Sequence, residues 1–414
     1  CNKHLEGQSA VFDHGGDGEP AVRFDPAGTA WVTGIAGLGG GIGLWKIPTT
    51  DVCAQSPVFL DNPDAGAGGG DTDIEVAPEK NPLGFYNIYT SSLTLANITS
   101  STSADGGNTF VPVVISDPVP VNDRQWNAAY GAMTLYLSWR SLNAGNQLFC
   151  ARSDDAGLTF GAPIPVYDDV VGTTLATQLG NMVADQRPGA AVPAAGPGGQ
   201  GNVYHGYVLT TQGSTGHKVY VAVSRDFGLT WTSTLVFAGP PGATYDHIFS
   251  WVAVDEAGNV YTVWADGQNV FYSGSADIKT SNTPTWTAPV RVNNGAATKS
   301  CVLPMIDAGS GGRIVVAWYG TTSSSTTDPG AQWHYFHARC SNALDPLPVF
   351  EQARVSDLVV HTGVVCEDGL GCACCRDLLE CQELDVNPVD GSSLISYGGA
   401  GGIFLTRQVA GTSA

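Results

Sequence analysis

An octapeptide pattern, Ser-x-Asp-x-Gly-x-Thr-(Phe/Trp), recurs along the chain and constrains its fold more than any other feature of the sequence. Complete copies span 103–110, 153–160 and 224–231, and a degraded copy runs from Ser275 to Trp286. From average residue usage, a chance match at one site is on the order of one in a million. The matches therefore indicate a repeated structural unit.

The residue types of the octapeptide are typical of a tight hairpin turn. The Asp carboxylate can accept N–H groups of the turn, the Gly supplies a positive φ, and the hydroxyls can tie the two arms together. The terminal aromatic ring can pack between two sheets. Because the pattern offers no nucleophile and base, we expect it to be structural. Its residues are Ser103, Asp105, Gly107, Thr109, Phe110, Ser153, Asp155, Gly157, Thr159, Phe160, Ser224, Asp226, Gly228, Thr230 and Trp231.

A second repeat consists of a strand-like segment, a turn rich in Asp or Gly, and another strand-like segment. Short runs rich in Val, Tyr, Trp and Thr dominate the chain, and no long apolar pattern of period 3.6 indicates a helix. We expect each repeat to form the inner two strands of one sheet, with the octapeptides between strands three and four. The seven repeats are 22–34, 75–91, 127–141, 190–211, 252–264, 305–320 and 384–399.

Together, the two repeats resemble the Asp-box, or BNR-repeat, family that includes the sialidases, over nearly the whole chain. The resemblance implies an all-β fold: a single β-propeller of four-stranded antiparallel blades over residues 1–414, with 1–8 as an N-terminal tether. Known sialidases have six blades, whereas the seven repeats here favour seven. The last repeat lacks an outer strand, and we expect Ser9–Asp13 to supply it and close the ring.

Candidate ligand-binding residues lie in the loops that lead into the inner strands. In a propeller these loops lie on the face opposite the Asp boxes, so we expect ligands there. The loops carry charged groups of both signs. The residues are Glu19, Asp71, Asp73, Asp123, Arg124, Arg187, His247, Arg376 and Asp377.

The resemblance also implies candidate catalytic residues. A sialidase holds its substrate carboxylate with three arginines and uses a Tyr nucleophile assisted by Glu, with an Asp acid–base residue. The candidates here are a triad of Arg124, Arg187 and Arg376, with Tyr319 or Tyr397 as nucleophile and Asp73 as a further catalytic residue. The alternatives are salt links for the arginines and core packing for the tyrosines. The family's Arg-Ile-Pro motif is absent, because the equivalent region, 19–23, reads EPAVR.

Two functional hypotheses follow from these observations. The first is a non-catalytic propeller that binds a glycan, a surface protein or copies of itself, and the missing motif favours it. The second is a glycoside hydrolase of sialidase-like type that acts on acidic sugars. A formal net charge of −20 argues against a nucleic-acid partner and against electrostatic attachment to an anionic membrane.

The cysteines indicate export. We expect disulfides, typical of an oxidising compartment, and prefer them to a metal site or a reactive thiol in the cluster 366–381. The sequence given begins with Cys1, which predicts either a lipid-anchored lipoprotein or a secreted protein with Cys1 in a disulfide. The expected disulfide cysteines are Cys53, Cys150, Cys301, Cys340, Cys366, Cys372, Cys374, Cys375 and Cys381.

Metal-binding signals are weak. The acidic stretch 61–73 could hold Ca²⁺ through carboxylate and carbonyl oxygens, although a solvated loop is the preferred interpretation. His334 and His337 have an odd separation in an extended segment, so they point to opposite faces and do not form a joint site. We expect no cofactor other than optional Ca²⁺.

Overall fold

The computed structural model describes residues 2–4, 18–36, 40–48, 57–94, 97–115, 121–167, 175–187, 201–211, 217–367, 372, 378, 382–399, 402–409 and 414. Over these ranges the chain is all-β and forms seven antiparallel sheets arranged as a seven-bladed β-propeller. The preference for seven blades over six is therefore confirmed. The part of the chain described here contains no helix long and apolar enough to cross a membrane.

Each sheet is built from strands that follow each other in the chain. The strands are β1 (Asn2–His4); β2 (Gly18–Phe24), β3 (Ala30–Ile35), β4 (Ile42–Ile47) and β5 (Val58–Phe59) in blade one; β6 (Gly70–Lys80), β7 (Tyr86–Leu93), β8 (Ile98–Ser103) and β9 (Val111–Ile115) in blade two; β10 (Asn122–Tyr130), β11 (Thr134–Ser141), β12 (Gln147–Ser153) and β13 (Ile164–Pro165) in blade three; β14 (Leu175–Ala184), β15 (Val203–Thr211), β16 (Lys218–Ser224) and β17 (Thr232–Ala238) in blade four; β18 (Trp251–Val254), β19 (Val260–Ala265), β20 (Val270–Ser275) and β21 (Val290–Arg291) in blade five; β22 (Ser300–Ala308), β23 (Ile314–Thr321), β24 (Gln332–Cys340), β25 (Phe350–Arg354) and β26 (His361–Thr362) in blade six; β27 (Glu383–Val386), β28 (Ser393–Gly399) and β29 (Gly402–Arg407) in blade seven.

The ring is closed by an N-terminal strand, as expected, but this strand lies within 1–8, the segment that was predicted to be a tether. Strand β1 pairs antiparallel with β29, with Asn2 opposite Thr406 and His4 opposite Phe404, and it is the outer strand of blade seven. The segment Ser9–Asp13, which we expected to have this role, lies outside the described residues. Pairing the two ends of the chain in one sheet leaves no open junction between the first and last blades.

Blade four departs from the sequence prediction. The repeat 190–211 was expected to contain both inner strands, but the innermost strand is β14 (Leu175–Ala184), and only β15 falls within the repeat. The register of β14 shifts between Leu179 and Met182, around Gly180. This bulge breaks the alternation of apolar and polar residues, and the segment therefore gives no clear strand signal. The other six repeats coincide with the paired inner strands of their blades.

The octapeptide segments form the hydrogen-bonded turns that their residue types predict. In the second copy, the Asp155 carboxylate accepts the backbone N–H of Thr159 at 2.8 Å and its hydroxyl at 2.6 Å. The Ser153 hydroxyl donates to Asp155 and accepts the N–H of Gly157, whose φ is +80°. The copies 103–110 and 224–231 make the same contacts.

These turns define the two faces of the propeller. The N–H of Ala156, within the second octapeptide, donates to the carbonyl of Met133 in the turn between β10 and β11 at 2.8 Å. Turns between first and second strands therefore lie beside the octapeptide turns, on what we call the bottom face. The loops that lead into the inner strands lie on the opposite, top face.

Side chains on the inner strands also tie neighbouring blades together. Among the described residues, a carboxylate or amide oxygen of one inner strand accepts a backbone N–H of the next at four of the seven junctions between blades. A buried polar group with such a partner avoids most of the cost of leaving water. In each pair, the first residue donates its backbone N–H to a side-chain oxygen of the second. The pairs are Val22 and Glu383 (2.9 Å), Asn127 and Asp73 (2.5 Å), Val252 and Asn181 (2.7 Å), and Val386 and Asp307 (2.7 Å).

Candidate functional site

The inner strands of blades one, two and three are bulged where they begin, at the top face. The register shifts between Gly18 and Ala21 in β2, between Gly70 and Thr72 in β6, and between Asp123 and Gln125 in β10. A bulge changes the direction of the side chain it carries, and positive φ is costly for a residue other than Gly. The residues with positive φ at these three bulges are Glu19 (49°), Asp71 (28°) and Arg124 (52°).

The three re-directed side chains converge. The Arg124 guanidinium lies 3.7 Å from a carboxylate oxygen of Glu19 and 3.8 Å from one of Asp71. It also stacks over the ring of Trp126, at 4.0 Å from the centroid. Only 3% of the Arg124 side chain is exposed. The structure thus brings three of the predicted top-face residues together, and their charges largely satisfy one another.

Two further ion pairs lie near the top of the channel. Asp123 pairs with Arg140, and His247 Nδ1 lies 2.8 Å from a carboxylate oxygen of Glu367. Burial lowers the pKa of His247, but the hydrogen bond and charge of Glu367 outweigh it and raise that pKa overall. This pair links the loop before β18 to the segment before β27.

Arg187 does not join Arg124, because it lies at the other end of the channel. It follows the end of β14 and therefore belongs to the bottom face. Its guanidinium pairs with Asp185 and donates to the carbonyl of Ala257 at 2.7 Å. The repeat 190–211 predicted the inner strand of this blade to follow Arg187, and Arg187 was therefore expected on the top face. Arg376 and Asp377 lie outside the described residues.

The tyrosines proposed as nucleophiles are buried between blades six and seven. Tyr319 is fully buried, and its hydroxyl donates to the carbonyl of Gly398 at 2.9 Å. Tyr397 stacks on Tyr335 with ring centroids 4.6 Å apart. Asp73 is also buried and accepts both the N–H and the side-chain amide of Asn127. In the structure, these three candidates therefore pack in the core or join neighbouring blades.

An aromatic layer crosses the channel below Arg124. Trp126 of blade three meets Trp251 of blade five edge-to-face, with ring centroids 4.9 Å apart, and also contacts Phe249 at 5.8 Å. The three side chains are at least 96% buried. We call them the aromatic layer. Arg124 lies over its Trp126 ring, and Trp251 contributes to the wall of a cavity.

Below the aromatic layer, a cavity of about 600 Å³ extends toward the bottom face. We call it the channel cavity. It is lined by the ends of the inner strands and by the turns that follow them, and Trp251 contributes to its wall. Its volume lies within the range of small-molecule sites, roughly 300–1,000 Å³. Its ionisable and amide residues are Arg23, Glu75, Asn181, Asp185, Gln186, Arg187, Asp255, Glu256, Asp307, Asp385 and Asn387.

Arg23 lies at the centre of the carboxyl groups of the cavity wall. Its Nη1 lies 2.8 Å from Glu383, and its Nε lies 3.6 Å from Glu75. Burial raises the pKa of Glu75 to about 7, although the Arg23 charge acts in the opposite direction. Glu75 therefore exchanges its proton near neutral pH, which is unusual for a carboxyl group and is found most often at functional sites.

Asp307 and Asp385 form a second ionisable element in the wall. The two carboxyl groups are close enough for each to change the pKa of the other. Burial is the main cause that raises the pKa of both, and the charge of Asp385 adds to it for Asp307. Each also accepts a backbone N–H of the next blade, from Val386 and Phe24 respectively. The pair therefore joins neighbouring blades at the cavity wall.

Five charged residues of this region were not among the site residues predicted from the sequence: Arg23, Glu75, Asp307, Glu383 and Asp385. A signal was present, because each is a charged residue inside a segment that otherwise reads as a buried strand. Charged residues are almost never fully buried unless they are paired. What the sequence could not show is that β2, β6, β22 and β27 turn these side chains toward one channel.

The cysteine predictions are partly confirmed. Cys366 and Cys372 form a disulfide with Cα atoms 6.0 Å apart. Cys150, Cys301 and Cys340 are buried free thiols, so their assignment to disulfides was wrong. They lie on strands within the apolar core, where each behaves as a small apolar side chain. The remaining cysteines, Cys1, Cys53, Cys374, Cys375 and Cys381, lie outside the described residues.

The acidic stretch proposed for Ca²⁺ is organised by internal hydrogen bonds. The buried Asp64 carboxylate accepts the N–H groups of Gly66 and Gly68, each at 3.1 Å, and the Ser92 hydroxyl at 2.8 Å. Over the described ranges, no group of three or more His, Cys, Asp or Glu side chains is arranged to hold a metal ion.

Comparisons with known proteins extend these observations. No family model and no curated protein matches this chain. Among solved structures, the GH74 xyloglucanase from Xanthomonas campestris is similar with a TM-score of 0.56 and 16% identity, over 100% of this chain and 54% of that chain. A PL25 ulvan lyase bound to -[GlcA(1-4)Rha3S]- has a TM-score of 0.54 and 10% identity, over 94% and 93%. The Hadza microbial sialidase Hz136 has a TM-score of 0.48 and 13% identity, over 92% and 73%.

What the first two share with this chain is the propeller fold. This chain spans about half the length of the xyloglucanase. At such low identity, the likeness extends to the fold and not to the reaction.

Proposed function

We propose that this protein is a non-catalytic, glycan-binding propeller that holds its ligand in the channel cavity. The observation that carries the proposal is the cavity itself: about 600 Å³, with Trp251 in its wall and with amide, carboxyl and guanidinium groups around it. A sugar presents hydroxyl groups that both donate and accept hydrogen bonds, together with apolar C–H faces. Polar groups of both kinds beside an aromatic ring match that chemistry.

The positions of the catalytic candidates support binding over sialidase-type hydrolysis. Arg124 and Arg187 lie at opposite ends of the channel, and the Tyr319 hydroxyl is engaged inside the core. Neither arrangement suits three arginines and a tyrosine around one substrate. The neighbouring structures include proteins named as a xyloglucanase and an ulvan lyase, and for this reason polysaccharide fragments are the first ligands to test.

The proposal extends to the setting of the protein. We propose that the octapeptides are the Asp boxes of a sialidase-like propeller, and that the chain is exported and works outside the cell or at its surface. The Cys366–Cys372 disulfide supports export, since disulfides persist in oxidising compartments. We also propose three separate features: attachment through a lipid on Cys1, optional binding of Ca²⁺, and a surface protein or a second copy of this chain as partner.

The decisive experiment is a binding titration with saccharide fragments that uses variants at the two ends of the channel. Ser310 lines the channel cavity, and Ser310→Trp should fill its opening and weaken binding by about tenfold or more. Ser324 is exposed in the loop between β23 and β24, on the top face, and Ser324→Trp is the matched control. Loss of binding in the control with full binding by Ser310→Trp would place the ligand on the top face and contradict the proposal.

A glycoside hydrolase is the second candidate, and Glu75 is the observation that favours it. A carboxyl group with a pKa of about 7 can act as a general acid at neutral pH, as inverting and retaining glycosidases require. Fluorogenic glycosides, including a sialoside, test this with and without Ca²⁺. Hydrolysis that is lost in Glu75→Gln and kept in Tyr319→Phe would establish a hydrolase. No hydrolysis by folded protein would leave binding as the function.

A further inference from the structure

The charges around the channel cavity are strongly unequal. Six carboxyl groups line it, from Glu75, Asp185, Asp255, Glu256, Asp307 and Asp385, against two arginines and no lysine or histidine among its described lining residues. Arg23 is already paired with Glu383, which lies behind the wall, and Arg187 is paired with Asp185. The field inside the cavity is therefore negative, and the whole chain adds to it with a net charge of −20.

Two of these carboxyl groups, those of Glu75 and Glu256, retain free capacity to accept hydrogen bonds. Asp255 is fully used, because it accepts the N–H groups of Ala257, Asn259 and Gly312 and the Tyr261 hydroxyl. Glu256 is exposed at the rim. One oxygen of Glu75 accepts the N–H of Val76, and the other lies 3.6 Å from Arg23, beyond hydrogen-bond distance.

One of the buried side-chain donors that lack a partner among the described residues lines the same cavity. Asn387 lines the cavity and is completely buried. Its side-chain oxygen accepts the N–H of Val389 at 2.9 Å, but its NH₂ group has no hydrogen-bond partner among the described residues. A buried donor without an acceptor is costly, and native structures rarely contain one without a reason such as an unseen ligand or water. An acceptor such as a ligand hydroxyl would satisfy it.

From these contacts we propose that the channel cavity binds an amino sugar, with its ammonium group held by Glu75 and the Asp307–Asp385 pair and a ring hydroxyl held by the Asn387 amide. An ammonium supplies three donors and one positive charge, which matches a wall rich in carboxyl groups. A simple diamine would supply the charge but no acceptor for Asn387. A neutral sugar would supply the hydroxyl but no positive charge for the wall of carboxyl groups. This inference rests on the proposed glycan-binding function and narrows its ligand class.

Binding of an ammonium should displace a proton. The charged groups that face Glu75 are Arg23 on β2, Asp73 on its own strand and Asp385 on β27. At pH 6.5, Glu75 is largely protonated, and a cation beside it favours the ionised form. The binding heat should therefore differ between buffers with different ionisation enthalpies, in proportion to the protons released.

The test is calorimetric titration of the full chain at pH 6.5 with four probes: glucosamine, glucose, N-acetylglucosamine and putrescine. Glucosamine should bind about tenfold tighter than glucose or N-acetylglucosamine, the gain expected of one charge-assisted hydrogen bond. Putrescine, which offers Asn387 no acceptor, should bind more weakly than glucosamine. Among the three sugars, only glucosamine should release protons when it binds.

Two variants and one control assign the effect to the cavity. Glu75→Gln and, at the exposed rim, Glu256→Gln should each reduce the preference for glucosamine over glucose. Glu79 lies on the same strand as Glu75 but is exposed and outside the cavity lining, so Glu79→Gln should bind like the wild type. Circular dichroism checks that each variant is folded.

The outcomes separate this inference from the proposed function. Equal affinity for glucose and glucosamine overturns the amino-sugar assignment and leaves glycan binding standing. Putrescine that binds as tightly as glucosamine overturns the assignment to a sugar. No binding of any saccharide probe, including polysaccharide fragments, by folded protein contradicts the proposed function itself.

Discussion

The Arg23 guanidinium in blade one donates to the Glu383 carboxylate in blade seven at 2.8 Å, so a buried ion pair joins the first and last blades at the channel wall. The same Glu383 oxygen accepts the backbone N–H of Val22 at 2.9 Å. The ring is therefore closed twice: by β1 at its rim and by Glu383 at its centre.

Removal of Glu383 should destabilise the propeller strongly. Glu383→Ala removes the nearest carboxyl partner of Arg23 and leaves Val22 without its acceptor, and breaking a buried pair in this way costs about 3–5 kcal/mol. Glu383→Gln keeps an acceptor for Val22 and should cost less. The midpoint of urea unfolding, followed by circular dichroism, measures both changes.

The control for this prediction is an exposed ion pair. Glu351 pairs with Arg339 on blade six, and 66% of the Glu351 side chain is exposed. Glu351→Ala should cost less than about 1 kcal/mol, because exposed pairs contribute little. A loss as large as that of Glu383→Ala would show that burial at the ring closure has no special effect.

The octapeptide turns depend on glycine for two separate reasons, which a matched pair of variants can separate. Gly157 and Gly84 both have positive φ, at +80° and +87°. A Cβ atom on Gly157 would lie 2.7 Å from the Thr102 hydroxyl and 3.2 Å from Leu135, whereas one on Gly84 would meet nothing within 4 Å. Gly84→Ala should therefore cost only the conformational strain, about 1 kcal/mol.

Gly157→Ala should cost more than Gly84→Ala, because it adds an overlap with packed neighbours, typically worth about 1–3 kcal/mol. Thermal unfolding of the two variants beside the wild type gives the comparison. Equal losses of stability would mean that the turn shifts to accommodate the methyl group. The requirement for glycine at position 157 would then come from its positive φ alone.

Local contacts explain which features could be predicted from the sequence. The octapeptide bonds join residues two to four positions apart, such as Asp155 and Thr159, so residue types in a short window were sufficient to predict them. The number of blades could also be predicted, because each inner hairpin is a short repeat in the sequence. Arg187 was misplaced because the bulge around Gly180 hid the strand before it, and a single missed strand assigns the next loop to the wrong face.

The channel cavity could not be predicted because its contacts are non-local. Arg23 and Glu383 are separated by 360 positions in the chain, and they meet only when the ring closes. Likewise, the direction of Arg124 depends on a bulge and a positive φ, which its sequence neighbours Asp123 and Gln125 do not indicate. Charged residues inside apolar strands were the available signal, but periodicity alone does not say which of them share a channel.

The three buried free thiols should resist modification in the native state. Cys150 and Cys301 are fully buried, and burial raises the pKa of Cys150 to about 12 and that of Cys301 further still. Because the thiolate is the reactive form, neither should be alkylated by iodoacetamide at pH 8 until the chain is denatured. Peptide mapping by mass spectrometry with and without denaturant, without reductant, measures this.

Cys366 and Cys372 provide the internal comparison for that experiment. As a disulfide, they should stay unlabelled even in denaturant and react only after reduction. Labelling of native Cys150 or Cys301 within minutes would contradict the packing described here. Labelling of Cys366 in denaturant without reductant would contradict the disulfide.

The stability of the propeller should fall as the pH rises through the range set by Glu75. Burial raises the pKa of Glu75 from 4.5 to about 7 in the folded chain, so the folded state holds this proton more tightly than the unfolded state does. The contribution is fully present below about pH 4.5 and is lost as the pH rises to about 7. By linkage, the loss is about 3 kcal/mol at most. Glu75→Gln cannot titrate and should not show it.

The measurement is the urea unfolding midpoint of the wild type and of Glu75→Gln at pH 5 and pH 8. Other titrating groups, including the Asp307–Asp385 pair, contribute to both proteins, so the difference between the two pH dependences isolates Glu75. The wild type should lose more stability between pH 5 and pH 8 than the variant does. Identical pH dependences would mean that Glu75 ionises normally, which would also remove the main support for its role as a general acid.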